Sequence, residues 1–355
     1  LKIRTAALCL SLLLFISGCG SGGSSPAPTA SAGESPAVLP SAESGTVNDY
    51  FPKRENVRCV YKGEGNEYAS YRTYVDYAEG SRIQQRIDNG GTQLVRVIEL
   101  SGGSAVCVYR RSECYYRENL LNRTGGEPEV LLKEPISVGN SWKLSDGRIR
   151  TISGIGIETE TPAGAYPAVS VVTEGSGGKS TDYYAKDIGL IMTVDESENI
   201  KILSTLEYIE YNVPFVQSIR FYYPNINDGR LYYRDHSISF STNDISRKKL
   251  EAAYKELSEG ETGKVFSANT EINSLYLNDD GMVYLDLNGK FLTEMNAGSG
   301  YEAMILQCLA NTFASYYGAE KLVLSIDGKP YESGHIVLGK GDYLSVKTDG
   351  CVELA

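Results

Sequence analysis

Only two histidines, one tryptophan and four methionines occur in the 355 residues, and Lys plus Arg number 34 against 45 Asp plus Glu. Each scarcity excludes something. His236 stands in Arg234-Asp235-His236 and His335 in Ser333-Gly334-His335, both reading as surface loops. Neither a His-Glu-x-x-His zinc motif nor a local pair of metal-binding histidines is therefore available. A Ser-His-Asp triad is compatible with this composition, since its members need not be close in sequence, yet no Gly-x-Ser-x-Gly elbow occurs. The glycines form neither a Gly-x-x-x-x-Gly-Lys-Ser/Thr phosphate loop nor a strand-linked Gly-x-Gly-x-x-Gly. The seven cysteines show no Cys-x2-Cys pairs of zinc spacing. The shortage of basic residues leaves a formal charge of −11, which becomes −13 without Lys2 and Arg4. Such a chain repels phosphate backbones, so nucleic acid is excluded as a partner class. Long apolar runs are missing too. The longest runs from about Ala6 to Ile16, short of the roughly 17–25 residues needed to span hydrocarbon.

What is present begins with that short run. Lys2 and Arg4 precede it, and Ser17-Gly18 close it before Cys19, the layout of a secretory signal peptide. The stretch Leu14-Phe15-Ile16-Ser17-Gly18-Cys19 resembles a bacterial lipobox. That resemblance implies cleavage before Cys19 and a diacylglyceryl group on its thiol. Two acyl chains suffice for stable anchoring. Ordinary signal cleavage, with Cys19 a bystander, is the alternative. Residues 20–46 are Ser, Gly, Pro and Ala with almost no charge, which predicts a disordered tether.

From 47 to 212 the reading is β throughout. Short apolar runs such as Leu94–Leu100, Ala105–Tyr109, Ala168–Thr173 and Ile200–Ile209 are separated by turns such as Asn89-Gly90-Gly91. This spacing predicts a meander folded into a sandwich or a partly open barrel. Along Tyr68–Tyr77, the residues Tyr71, Thr73, Val75 and Tyr77 share one parity. From 213 to 355 the period changes. Extended pieces surround Pro224-Asn225, and Asp244–Leu257 carries Ile245, Leu250, Ala253, Tyr254 and Leu257 on one helical face. A hairpin is expected at Asn278-Asp279-Asp280-Gly281. Ser299-Gly300-Tyr301-Glu302 reads as a capping box opening a helix to Tyr317, with Gly318 past its end. Lys321–Ile326 reads as a strand that turns on Asp327-Gly328. The expectation for this half is an α+β domain with two helices on one face of a sheet.

Twenty-six tyrosines against eight phenylalanines are the oddity of composition. Tyrosine suits half-buried strands, so a wet-faced β protein explains them; a Tyr-lined binding surface is the sharper reading. Five cysteines remain once Cys9 is cleaved off and Cys19 is lipidated. Cys107 and Cys114 flank a polar stretch, and a disulfide between facing strands is expected of them. Cys308 falls on the buried stripe of its helix, where a thiol acts as a small core residue.

The stretch Gly281–Leu287, then Phe291, then Leu309-Ala310-Asn311-Thr312-Phe313, then Val323-Leu324-Ser325-Ile326-Asp327-Gly328-Lys329-Pro330 resembles the GerMN domain. The likeness runs over roughly Phe215 to Leu344. The chain departs from the family pattern at Phe313, where leucine is usual, and in the link Glu261–Ser267. The N-terminal half is not a second copy. The resemblance implies a lipoprotein on the extracytoplasmic face of the membrane, Gram-positive in setting, without enzymatic activity or cofactor. It implies roles in sporulation or germination, with other envelope proteins or self-association as partners. It also implies structural roles for Asp286, Thr312, Asp327, Gly328 and Lys329. Two rival readings are a solute-binding lipoprotein and a wall-modifying enzyme. The first should alternate strands and helices over two lobes, and the second lacks its motifs. If the anchor is right, Cys19→Ala moves the protein from the membrane fraction to the soluble one without unfolding it. A fatty-acid label should mark the wild type alone, and a mutant that stays on the membrane would refute the anchor.

Overall fold

Alternating burial along short segments builds one antiparallel sheet of twelve strands in the computed structural model, which describes residues 45–175, 177–198, 200–256 and 262–354. A four-residue helix α1 (Val47–Tyr50) precedes it. The first six strands are β1 (Val57–Glu64), β2 (Tyr71–Glu79), β3 (Arg82–Asp88), β4 (Gln93–Ser101), β5 (Ser104–Arg111) and β6 (Glu129–Lys133). The second six are β7 (Ser141–Lys143), β8 (Ile149–Thr161), β9 (Gly164–Gly175), β10 (Gly178–Ala185), β11 (Gly189–Ser197) and β12 (Ile200–Tyr211). Each set is a meander of sequential hairpins, and the pairing of β1 with β12 joins the two. The free ends of the sheet are β6 and β7. They meet through a side chain rather than a ladder: Trp142 Nε1 of β7 donates to Val130 O of β6 at 3.1 Å, joined there by Arg150 Nη1 of β8 at 2.7 Å. The sheet is sandwich-like, not a closed barrel.

The period-2 pleat gives this sheet two working faces. In β3, Ile83, Gln85 and Ile87 point to the interior of the curl, while Gln84 and Arg86 point to the rest of the chain. The single parity expected of Tyr71, Thr73, Val75 and Tyr77 along β2 breaks at a bulge between Val75 and Tyr77. The extra residue there is Asp76, and the bulge turns it to the same side as Gln84 and Arg86.

The C-terminal half opens with the hairpin β13 (Phe215–Asn225) and β14 (Arg230–Phe240), then α2 (Ser246–Glu256), β15 (Ile272–Leu277) and β16 (Val283–Leu287). Helices α3 (Lys290–Met295) and α4 (Ser299–Leu309) follow, then β17 (Lys321–Ile326), β18 (Lys329–Pro330), β19 (Leu344–Ser345) and β20 (Val352–Glu353). Strands β15 to β19 form a mixed sheet in which β16 and β17 run parallel; β13, β14 and β20 form a small separate one. The expected helices and turns are present: Asp327 and Gly328 take φ of 48° and 76° in the tight turn before β18.

Details differ for physical reasons. Helix α2 starts at Ser246, leaving Ile245 exposed, whereas Leu250, Ala253 and Tyr254 are buried as expected; Leu257 lies outside the described residues. The capping box does not form. Gly298 is the N-cap of α4, and Glu302 instead accepts from Tyr331 Oη at 2.8 Å and Ser333 Oγ at 2.5 Å. Past Leu309 the helix widens into a π-helical turn, Ala310–Ala314, fully buried. His236 lies on β14 and is half-buried, not in a turn, while His335 is an exposed loop residue.

One continuous apolar core joins the two halves, running from Tyr77, Val95 and Val97 of the large sheet to Phe221, Phe266 and Phe313. Beside it lies a buried ionic cluster. Asp76 Oδ2 is 2.9 Å from Arg86 Nη2, and both side chains are almost sealed from solvent. Arg86 also donates to the carbonyls of Cys114 and Tyr116, at 2.5 and 2.7 Å. Arg117 sits 3.8 Å from Asp76 Oδ1 and reaches across to the C-terminal half, donating to Asp244 O, Ser241 O and Ser246 Oγ. Its guanidinium carbon lies 4.1 Å from the Tyr77 ring centre, a cation–π contact that also orients it. Removing one member of such a pair leaves a desolvated charge behind. Asp76→Ala should therefore cost about 3–5 kcal/mol. Asp146→Ala, which breaks the solvent-exposed pair with Arg148, should cost below about 1 kcal/mol. Urea unfolding of the two variants beside the wild type measures the contrast, and equal losses would contradict it.

Candidate functional site

Asp286, Asp327, Gly328 and Lys329 gather at one end of the mixed sheet while Thr312 lies apart against β13 and α2, and their hydrogen bonds close on the chain itself. Asp286 Oδ1 accepts from Ser325 Oγ at 2.5 Å and from the Gly328 amide at 2.8 Å. Its second oxygen accepts from Asn273 Nδ2 at 2.9 Å. Asp327 Oδ2 accepts from the Gly289 amide at 3.0 Å, pinning the start of α3 to the turn after β17. Thr312, in the π-helical turn, accepts from the Tyr222 amide at 3.0 Å and shares a bond with Tyr254 Oη. Lys329 lies exposed in β18, with its backbone paired to Ile326. Aspartates and threonine alike satisfy backbone amides.

The edges of these sheets are occupied in the same way. Along β15, Glu251 Oε2 accepts from the Ile272 amide, Arg247 donates to Ile272 O, and Tyr317 Oη donates to Leu275 O. On β13, Thr312 and Tyr254 take the amide and carbonyl of Tyr222. Such covering leaves fewer backbone groups for an added strand than a bare edge would.

What remains open is a groove of about 640 Å³ between β15, the start of α2 and the end of β2. Tyr276 and Ile245 line it and are 36% and 52% exposed, so its rim is partly apolar. Glu118 lines it from the large-sheet side and accepts from the Leu277 amide at 3.2 Å. Burial pushes the Glu118 carboxyl up to about 7, against the opposing pull of the Leu277 amide and of Arg123 and Arg111. Both halves of the chain contribute walls. Nothing local in the sequence marks Glu118 or Tyr276, because they come together only through the ionic cluster and the common core.

The structure does not bring Cys107 and Cys114 together. Cys107 pairs with Ile98, whereas the Cys114 amide bonds to Gln93 O. Those partners stand five residues apart on β4, roughly 16 Å of strand, against the ~7 Å limit between bridged Cα atoms. The polar stretch between the cysteines continues β5 instead of turning back. Both are buried free thiols, as is Cys308, which packs in the large core where burial holds its thiol well up. Among the described residues no group of three or more His, Cys, Asp or Glu is placed to hold a metal ion. No described helix is long and apolar enough to cross a membrane. Cys19 lies outside the described residues.

Residues 220–332 match the family described as Germane, sporulation and spore germination, so a GerMN-type domain is present over that part of the chain. No curated protein matches the chain. Among solved structures, the chain is similar to the first GerMN domain of the sporulation protein GerM from Bacillus subtilis: 20% identity, 36% of this chain, 97% of that one, TM-score 0.27. It is also similar to the tandem GerMN domains of that protein, at 18% identity and TM-score 0.28, covering 37% of this chain and 46% of that one. A protein described as exported, with a YmcC-like fold, from Bacteroides fragilis is 14% identical with TM-score 0.29, over 45% of this chain and 98% of that one.

The groove carboxyl sets a pH dependence. Between its ordinary value of 4.5 and the folded value of about 7, the native chain holds a proton on Glu118 that the unfolded chain has released. Its contribution to stability is complete below 4.5 and is lost as pH rises through 7. Glu118→Gln keeps an acceptor for the Leu277 amide and abolishes the titration. The variant should gain on the wild type by on the order of 2 kcal/mol at pH 8 and by far less at pH 5. Urea midpoints at the two pH values decide it, and an equal difference at both would show that Glu118 titrates normally.

Proposed function

We propose that this chain is an exported lipoprotein, held at the membrane through Cys19, whose GerMN-type domain serves as a non-enzymatic docking and assembly module of the cell envelope. Sporulation or germination is its setting. The observation that carries the reading is the family match over residues 220–332, in a domain whose motif residues are spent on its own backbone. Asp286, Asp327 and Thr312 accept from amides and neighbouring hydroxyls. A domain built so offers a shape, with its polar groups already engaged.

The groove beside β15 supports the docking part of the proposal. Its rim combines exposed Ile245 and Tyr276 with the polar side chains of Asn273 and Ser274, a mixture of apolar, aromatic and polar groups of the kind protein contacts use. Because the edge backbone of β15 is largely taken by Glu251, Arg247 and Tyr317, contact through side chains is favoured over strand addition. Partners would be other envelope proteins or further copies of this chain.

A photocrosslinking residue in place of Tyr276, in the native cell, tests this directly. Covalent adducts with exported membrane-associated proteins, or with a second copy, are expected there. The same probe at Val138, exposed on the large-sheet half, should yield none. Equal labelling at both positions, or turnover of a wall-derived substrate by the purified protein, would overturn the docking reading.

A further inference from the structure

The interior of the curled twelve-stranded sheet holds a cavity of about 320 Å³, separate from the groove. That is within the range of small-ligand sites, roughly 300–1,000 Å³. Its wall carries four arginines, Arg54, Arg96, Arg110 and Arg150, against two carboxylates, Glu129 and Asp182. In a protein of net charge −11, this concave surface is positive.

The arginines are not equivalent. Arg110 and Arg150 share Glu129, each at 2.8 Å. Arg150 is further tied to Thr173 Oγ1 and Val130 O. Arg96 makes one side-chain bond, Nε to Gln85 Oε1 at 2.9 Å, and no ion pair is formed by Arg96 or Arg54 among the described residues. Arg54 Nη1 is one of three buried side-chain polar atoms there that lack a hydrogen-bond partner. A desolvated guanidinium donor left unpaired is costly, and its persistence calls for an explanation. Asp182 does not supply the missing partner. It accepts from Thr193 Oγ1 at 2.7 Å, and burial pushes its carboxyl up despite the two arginines near it. Beside these groups the wall is apolar: Tyr61 and Tyr71 stack with ring centres 4.3 Å apart, and Tyr61 Oη is held by Leu190 O.

We propose that this cavity binds a small organic carboxylate, with its head on the Arg54 and Arg96 guanidiniums and its apolar body against Tyr61, Tyr71 and Leu190. One negative charge fits better than two, since Asp182 stands in the same wall and would repel a dianion. The body is limited by the volume to a short chain or a single ring.

Octanoate and its neutral counterpart octanol serve as probes, titrated calorimetrically into the full chain. Octanoate should bind saturably at one site and raise the thermal midpoint, with octanol at least tenfold weaker. Arg54→Gln and Arg96→Gln should each weaken octanoate at least tenfold. Without ligand Arg54→Gln should unfold at or above the wild-type midpoint, because a buried donor without a protein partner contributes nothing to the fold; Arg96→Gln also loses the bond to Gln85 and is read by its octanoate affinity alone. An Arg54→Gln midpoint well below wild type would assign that arginine to structure and overturn the site. Equal binding of octanol and octanoate would reduce it to an apolar hole, and absence of octanoate binding would remove it.

Discussion

Everything beyond the individual sheets depends on one carboxylate shared by two guanidiniums. Asp76 is held at 2.9 Å by Arg86 and flanked by Arg117 at 3.8 Å, with all three side chains out of water. One negative charge does not balance two positive ones, and the excess is spread over carbonyls: those of Cys114 and Tyr116 for Arg86, those of Asp76, Ser241 and Asp244 for Arg117. Those carbonyls belong to β2, to the segment after β5, and to the entry of α2. The cluster therefore fixes where three distant pieces of chain lie, and the described residues accordingly fall within one compact unit. The groove beside β15 inherits its walls from that arrangement, since Glu118 follows Arg117 directly and Ser246 opens α2.

Much of this architecture is written locally. Short alternating runs and Gly-rich turns specify hairpins wherever a strand faces water on one side, as in β9 to β12. Asn278–Gly281 and Asp327-Gly328 specify tight turns because few other residues tolerate the backbone they need. What escapes local reading is whatever faces the other half of the molecule. β3 reads as polar, Arg-Ile-Gln-Gln-Arg-Ile-Asp, because its outer side carries Gln84 and Arg86 into the buried cluster. The bulge at Asp76 is invisible for the same reason: the side chain it turns inward is met by Arg86 and Arg117, 10 and 41 residues away in the chain. Glu302 looked like a cap and became a buried acceptor for Tyr331 and Ser333, a pairing set by tertiary contact. Of the motif residues, structural roles for Asp286, Thr312 and Asp327 are what the family resemblance implies, and only Asp327 stands in a tight turn that local sequence marks. The groove could not be anticipated, as Glu118 and Leu277 in its walls are 159 residues apart in sequence.

A single strand also shows how one pleat divides labour. Ile83, Gln85 and Ile87 border the cavity inside the curl, whereas Gln84 and Arg86 lock the outside to the C-terminal half. The two surfaces are linked rigidly through the same backbone, so a substitution that shifts β3 by one residue would exchange their chemistry completely. Register, more than any one contact, keeps the interior and the side facing the C-terminal half distinct. The tyrosines follow the same division: Tyr61 and Tyr71 face inward, Tyr77 faces the shared core.

The pairing of β1 with β12 has a mechanical side. Val57 stands opposite Tyr211, so the chain enters and leaves the large sheet at the same rung. Tension between the residues before Val57 and those after Tyr211 would fall on that last rung alone, then on the next, as in a zipper, rather than on all rungs at once as in shear. A latch sits at that point. The Asn56 amide donates to Thr242 Oγ1 at 2.9 Å, the Thr242 amide donates back to Asn56 Oδ1 at 2.8 Å, and the Val213 amide donates to Asn56 O at 3.1 Å. Three hydrogen bonds on one asparagine thus brace the rung at which a pull along the chain would begin to open the sheet.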